Sequence, residues 1–391
     1  MADLNHLTLE TLEDGTGLSI QPEELDKQEN STKFAYALQG LLLDGIEDAK
    51  PIEALFMLRK GEQDYDEEEA FMPKGKVSLI AGYGGTGKSL LALELALLVA
   101  NRNGRYSRAK GTRGQNLVAN SKTHKVVIFF GEEDDASCKW RLKQAFTSLG
   151  AINNYHEIKE NLLIIPLGGV SFNTAFVNKD DPKEADEWFQ ELKKRLTLFA
   201  GEDGLDLLVI DPLSHFGGGE FEQDNGQAVQ LMRKLNELTQ IKGSPTVLGI
   251  HHSPKGSSSK RLDEMLRGSS ALKDNSRWVA VMSRLGEDIQ GRDCFKWLDS
   301  SGIEREIIQL EVVKSNYTKR GMPIRFAIGA DGLKEITNRA YLEARSDVSS
   351  SEDNKRLLTL NEHADLLMSQ YAKANNQNSY HGRRPVRQRK S

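Results

Sequence analysis

The chain has 391 residues, 38% of them hydrophobic and 28% charged, with a formal net charge of −5. Those values fit a soluble protein of one large domain or two to three smaller ones, and exclude a disordered or collagen-like chain and a uniformly basic nucleic-acid coat. Cys138 and Cys294 are the only cysteines, too isolated for a disulfide framework or a zinc cluster, and no apolar run is long enough to span a bilayer. A cytoplasmic location is the expectation, because no basic region followed by an apolar run stands near Met1.

Residues 1–50 are polar and acidic, with Glu23-Glu24-Leu25-Asp26 as an example, and their pattern predicts one helix over Thr32–Leu43 in a loosely ordered segment where a partner docks. From Pro51 to Lys74 a short helical segment and an acidic loop, Asp64 to Glu69, lead into a region where strands alternate with helices. The strand candidates are Val77–Ala81, Val126–Phe130, Leu162–Pro166, Leu207–Asp211, Thr246–His251, Val279–Ser283, Ile307–Val313 and Ile324–Ile328. Helices Lys88–Asn101, Ala136–Leu149, Lys183–Phe199 and Gln223–Ile241 fall between the early strands and have the amphipathic spacing of crossovers. The later strands lack crossovers. The expected fold is therefore α/β, with a mostly parallel central sheet flanked by helices and antiparallel C-terminal strands, over residues 51–345. Residues 346–391 read as a Ser349-Ser350-Ser351 linker, a helix over Asn354–Lys373 and a basic tail, Arg383 to Lys390. That tail either touches a polyanion or is simply solvated.

After the first strand comes Gly82-Tyr83-Gly84-Gly85-Thr86-Gly87-Lys88-Ser89, a G-x-x-x-x-G-K-S phosphate loop opening an Ala/Leu-rich helix. Glycines let consecutive backbone N–H groups curl inward, and the helix directs its positive dipole end at the same phosphates. Gly82, Gly84, Gly85, Thr86 and Gly87 are thus the backbone cradle, Lys88 the cation for the β- and γ-phosphates, and Ser89 a ligand for magnesium. ATP and Mg2+ are the expected ligands.

Leu207-Leu208-Val209-Ile210-Asp211 ends a buried strand in a carboxylate, where a magnesium-bound water needs an acceptor; the competing account is a strand-end turn residue. Glu132, after Val126–Phe130 and Gly131, suits a general base for the attacking water and is preferred over Glu133, although the acidic run Glu132–Asp135 also fits a helix N-terminal charge cluster. His251-His252 close a third strand at this edge. Adjacent strand residues point to opposite sides, so the pair does not share a metal ion. The flexible, basic segment Ser253 to Arg261, with Lys255, Lys260 and Arg261, reads either as a grip on a sugar-phosphate backbone or as a solvated loop.

Taken in order, these segments resemble the RepA-type hexameric replicative helicases of broad-host-range plasmids and related phage ATPases, a RecA-like P-loop family. The resemblance runs from Pro73 to Lys334 and rests on the Gly82–Ser89 loop, Gly131-Glu132-Glu133 with Arg141-Leu142, Val209-Ile210-Asp211, His251 to Gly256, Arg267 to Leu272, Asp274 to Trp278 and Val313 to Tyr317. It implies a homo-oligomeric ring, hexameric by analogy, that hydrolyses ATP while moving 5′→3′ on single-stranded DNA during replication, with a loader or primase as further partners. It also implies His252 as γ-phosphate sensor and Arg277 as an arginine finger supplied to the neighbouring subunit. Lys314 is a second cation there or a packed strand-end residue. The N-terminal segment, the basic 102–125 insertion and the tail have no counterpart in the family. Two other functions remain open at this point: a RecA-like recombination or repair ATPase that forms filaments, and a non-translocating regulatory ATPase.

Overall fold

The computed structural model describes residues 48–60, 67–101, 116–149, 155–170, 174–218, 221–222, 224–253, 270–285, 296–298, 303–321, 323–329 and 332–336. The helices expected over Thr32–Leu43 and Asn354–Lys373, the basic cluster from Arg102 to Arg113, and the DNA-contact candidates Lys255, Lys260 and Arg261 lie outside the described residues.

The central sheet is parallel through six strands, β3 (Val77–Gly82), β5 (Val126–Phe130), β6 (Leu162–Pro166), β7 (Leu207–Asp211), β8 (Thr246–His252) and β9 (Trp278–Arg284). Across the sheet they run β9-β3-β8-β7-β5-β6. Beyond β9 the sheet continues antiparallel through β11 (Glu304–Ser315), β12 (Ile324–Gly329) and β13 (Gly332–Ile336), and the short β10 (Lys296–Leu298) pairs with β11. A mostly parallel sheet with an antiparallel C-terminal flank is the architecture that the sequence predicts.

Strand residues alternate between two cores because side chains project to opposite faces of a pleated strand. Val126, Ile128 and Phe130 of β5, with Leu207 and Val209 of β7, face a core shared with α1 (Lys88–Ala100), α2 (Asp135–Leu149) and α3 (Tyr155–Asn161). Val127, Phe129, Leu208 and Ile210 face the other, shared with α4 (Pro182–Ala200), α5 (Leu213–Phe216) and α6 (Asn225–Leu238). Helix α1 is buried on nearly every side, from Leu90 to Ala100, so the helix that opens on the phosphate loop is also the most deeply packed one.

The segment from Pro51 to Lys74 departs from the sequence expectation. In place of a short helix, β1 (Ala54–Lys60) pairs antiparallel with β2 (Glu67–Pro73), which takes in Glu67–Glu69 of the expected acidic loop while Asp64–Asp66 lie outside the described residues, and β4 (Asn116–Ala119), inside the apparent basic insertion, completes a three-stranded sheet ordered β2-β1-β4. The run Ala54-Leu55-Phe56-Met57-Leu58 has no strand alternation of its own because Leu55, Phe56 and Leu58 are all buried. Its backbone partners come from segments about ten and sixty residues away, which no local pattern reveals. This small sheet is tied down by Asp206, whose carboxylate accepts from Lys74 Nζ at 2.5 Å, from the backbone N–H groups of Lys122, Thr123 and His124, and from the Thr123 hydroxyl. No helix among the described residues is long and apolar enough to cross a membrane.

Candidate active site

Parallel strands bring their carboxyl ends to one edge, and that edge collects the chemistry. Gly82 of β3 is in register with His252 of β8 on one side and with Met282 of β9 on the other, while Asp211 of β7 is in register with Phe130 of β5, two residues before Glu132. The chain crosses between these ends with close backbone contacts: Ser253 N–H donates to the Gly82 carbonyl at 3.0 Å, and Gly131 N–H to the Asp211 carbonyl at 2.7 Å. A Cβ on Gly82 would lie 2.2 Å from the Met282 carbonyl oxygen, so the phosphate loop can leave β3 at this point only as glycine.

Helix α1 starts at Gly87, which has φ +82° in the left-handed region, and no side chain caps it. Helices α4 and α6 begin differently, with the carboxylates of Asp181 and Asp224 accepting their first-turn N–H groups. Unclaimed N–H groups at the end of a buried helix favour an exogenous anion. Lys88 folds back over the loop, its Nζ donating to the carbonyls of Gly82 at 2.8 Å and Tyr83 at 2.7 Å. The Thr86 hydroxyl donates to the Tyr83 carbonyl as well. Burial lowers the Lys88 pKa to about 8 despite the opposing pull of Asp211, with Arg284 adding to the lowering and Glu132 resisting it.

Asp211 is only 2% exposed, and its Oδ2 has no hydrogen-bond partner. Burial pushes its pKa up to about 6, against the hydrogen bond from Ser89 and the positive charges of Lys88 and Arg141. An orphaned carboxylate oxygen beside the Ser89 hydroxyl is the donor set that a hydrated magnesium ion accompanying a triphosphate needs. Magnesium keeps several waters and is bound through one or two protein groups together with substrate phosphates, so Ser89 and Asp211 would hold it jointly with the triphosphate. When bound, it would neutralise charge developing between the β- and γ-phosphates.

The two glutamates after β5 separate clearly. Glu133 pairs with Arg141 Nη2 at 2.5 Å, whereas Glu132 is exposed and near enough to Lys88, Asp211 and His252 to influence their charge. The two histidines also divide. His252 is half-buried, its pKa lowered by burial and by Lys88. His251 is fully buried on the opposite side, 3.7 Å from Glu222 Oε1 and packed edge-on to Phe221, and burial holds it neutral by lowering its pKa to about 4. The segment after Asp211 therefore packs beneath β8 through Phe221, which the acidic run Gly217 to Glu222 does not announce.

Arg277 stands elsewhere. It is exposed at the opposite edge of the sheet, its N–H bonded to the Val77 carbonyl at the start of β3. Five residue steps of about 3.3 Å from Arg277 to Met282, which lies level with Gly82, put roughly 17 Å between it and the phosphate-loop edge. Lys314 lies close by, donating to the Lys273 and Asp274 carbonyls at the end of α7 (Ser270–Asn275), which gives it the packed, helix-capping role. Sequence reading missed Arg284, whose Nη2 donates to the Gly85 carbonyl at 3.1 Å. Its one signal was a basic residue ending a buried strand.

Residues 64–258 match the family described as AAA domain. Over that segment the protein is similar to P-loop ATPases. Among solved structures, a KaiC-like protein of the hyperthermophilic archaeon Pyrococcus horikoshii is 17% identical, with 73% of this chain and 100% of that one covered and a TM-score of 0.44. The ATPase domain of G40P is 12% identical, with 67% of this chain and 86% of that one covered and a TM-score of 0.43. The mostly parallel sheet, the phosphate loop and the buried helix behind it give the chain the α/β architecture of a P-loop ATPase.

Proposed function

We propose that the protein is an ATP-driven, ring-forming helicase or translocase that acts on single-stranded DNA in replication, within the cytoplasm and as a homo-oligomer, hexameric by family analogy. The catalytic unit is residues 51–345. Lys88 and the loop N–H groups bind the triphosphate, Ser89 and Asp211 hold magnesium, Glu132 orients the attacking water, and His252 senses the γ-phosphate. Lys255, Lys260 and Arg261 contact the DNA backbone. A loader or primase engages residues 1–50 or 346–391.

The single observation that carries the oligomeric part is the position of Arg277. A guanidinium exposed about 17 Å from the phosphate loop of its own subunit is of no use to that site, which is what a residue supplied to a neighbour's site requires. An arginine supplied in trans neutralises charge developing on the γ-phosphate and is worth on the order of 10³-fold or more in rate. Assembly then becomes a condition of turnover.

The experiment is a mixing test with single-stranded DNA present. Arg277→Ala and Lys88→Ala proteins are each expected to be inert alone, and to regain part of the ATPase activity when co-assembled, at interfaces where an intact loop meets an intact arginine. No recovery in verified mixed oligomers, or full-rate turnover by a strict monomer, would remove the trans assignment. ATP turnover indifferent to DNA, with no unwinding, would instead favour a regulatory ATPase.

A further inference from the structure

Arg284 ends β9 at the carboxyl edge, two residues beyond Met282, whose backbone lies in register with Gly82. Its guanidinium is held by a carboxylate and by the phosphate loop. Nε donates to Glu306 Oε2 at 2.9 Å, and Nη2 donates to the Gly85 carbonyl at 3.1 Å. A planar fork suits this double contact, because one edge can be oriented by a carboxylate while another lies on the loop.

The loop is shaped to receive it. Gly85 has φ +74°, and a Cβ there would sit 2.9 Å from Nη2, so glycine at this position serves the approach of an arginine as well as the turn. A guanidinium laid on the loop adds positive charge beside the place where the phosphates bind, and a ligand with more negative charge gains more from it.

We propose that Arg284 is a positioning cation of the nucleotide site, supplied by the same protomer, which braces the phosphate loop through Gly85 and favours nucleoside triphosphates over diphosphates by the charge it adds. This inference rests on the ATP-binding reading above. It concerns the phosphate chain and not the base. Discrimination therefore follows phosphate number and is equal for adenine and guanine nucleotides.

The test uses the full-length protein with Mg2+ and fluorescent, non-hydrolysable triphosphate analogues beside the matching diphosphates, in adenine and guanine forms. Arg284→Ala is expected to weaken triphosphate binding about tenfold, the order of one partly screened charge at a few ångströms, and diphosphate binding by distinctly less. Arg284→Lys keeps most of the triphosphate preference, since charge is retained. Glu306→Gln, which loosens the orientation of the guanidinium, loses part of it. Equal losses for both phosphate classes, a loss confined to one base, or unchanged binding in folded Arg284→Ala would overturn the proposal. If Arg284→Ala does not fold by its melting curve, an unchanged preference in Glu306→Gln overturns it in the same way. Wild-type protein that binds neither class would remove the ATP-binding reading itself, whereas normal wild-type binding with an unaffected variant removes only the role of Arg284.

Discussion

Two aspartates flank one buried strand, and the protein treats them in opposite ways. Asp206, just before β7, is 0% exposed and accepts from the Lys74 ammonium, three backbone N–H groups and a hydroxyl. Burial pushes its pKa up, but the Lys74 pair and the N–H groups of Thr123 and His124 outweigh that and hold it below the usual carboxylate value. Asp211, which ends the same strand, is almost as buried, yet one oxygen has no partner and its pKa rises to about 6. The difference separates structural from functional burial. A charge whose lone pairs are all used holds the fold together, while one left short of partners is kept for a ligand that supplies them.

The sharpest way to break the comparison is to neutralise each aspartate in turn. Asp211→Asn should lower Mg2+-dependent ATP turnover about 100-fold or more, because it removes the carboxylate proposed to orient the hydrated ion. Asp206→Asn should leave turnover per folded molecule nearly intact while removing about 3 kcal/mol of stability, since Lys74 loses its buried counter-charge. Denaturant titration beside steady-state ATPase assays checks both, and a reversed pattern would dissolve the distinction.

The pH dependence of unfolding without nucleotide sharpens it further. The lowered pKa of Asp206 contributes stability that is fully present above the ordinary aspartate value near 3.8 and is lost as pH falls through its folded pKa. The raised pKa of Asp211 acts the other way, and stability is lost as pH climbs from about 3.8 to about 6. Asp211→Asn is therefore expected to be about 3 kcal/mol more stable than wild type at pH 7, with the advantage disappearing near pH 4. Asp206→Asn should show a deficit at pH 7 that narrows as pH falls below 4. Thermal melts across that range decide it.

The smallest expected effect concerns the cations at the far edge. Lys314→Ala removes a cap from the last carbonyls of α7 and should cost about 0.5–1 kcal/mol of stability while sparing turnover. The neighbouring Arg277→Ala should do the opposite. A Lys314→Ala protein that is stable but inactive would assign it to the trans site after all.

The carboxyl edge was largely legible in the sequence because each of its parts is local. Four apolar residues before Asp211, and the spacing from Gly82 to Ser89, reflect a strand buried on both faces and a backbone cradle, both written in consecutive residues. The sequence favours Glu132 over Glu133 without showing a partner for either, whereas in the fold Arg141 of α2 pairs with Glu133 and Glu132 is exposed. The β2-β1-β4 sheet was not legible. β1 finds its hydrogen bonds to β4 across more than fifty residues of chain, and its Ala54–Leu58 run is too completely apolar to show a period of two.

By itself, the sequence determined that this chain holds a phosphate loop on a parallel α/β sheet, since periodicity, glycine spacing and strand-end carboxylates are properties of contiguous residues. Only the tertiary structure decided which charges are spent on the fold and which are held in reserve. Asp206 and Asp211 look alike in the sequence, and what distinguishes them is the set of donors that distant segments bring to one and withhold from the other. The same holds for Arg284 and Arg277, two basic residues at the ends of one strand: the sheet sets the first on the loop of its own subunit and turns the second away from it.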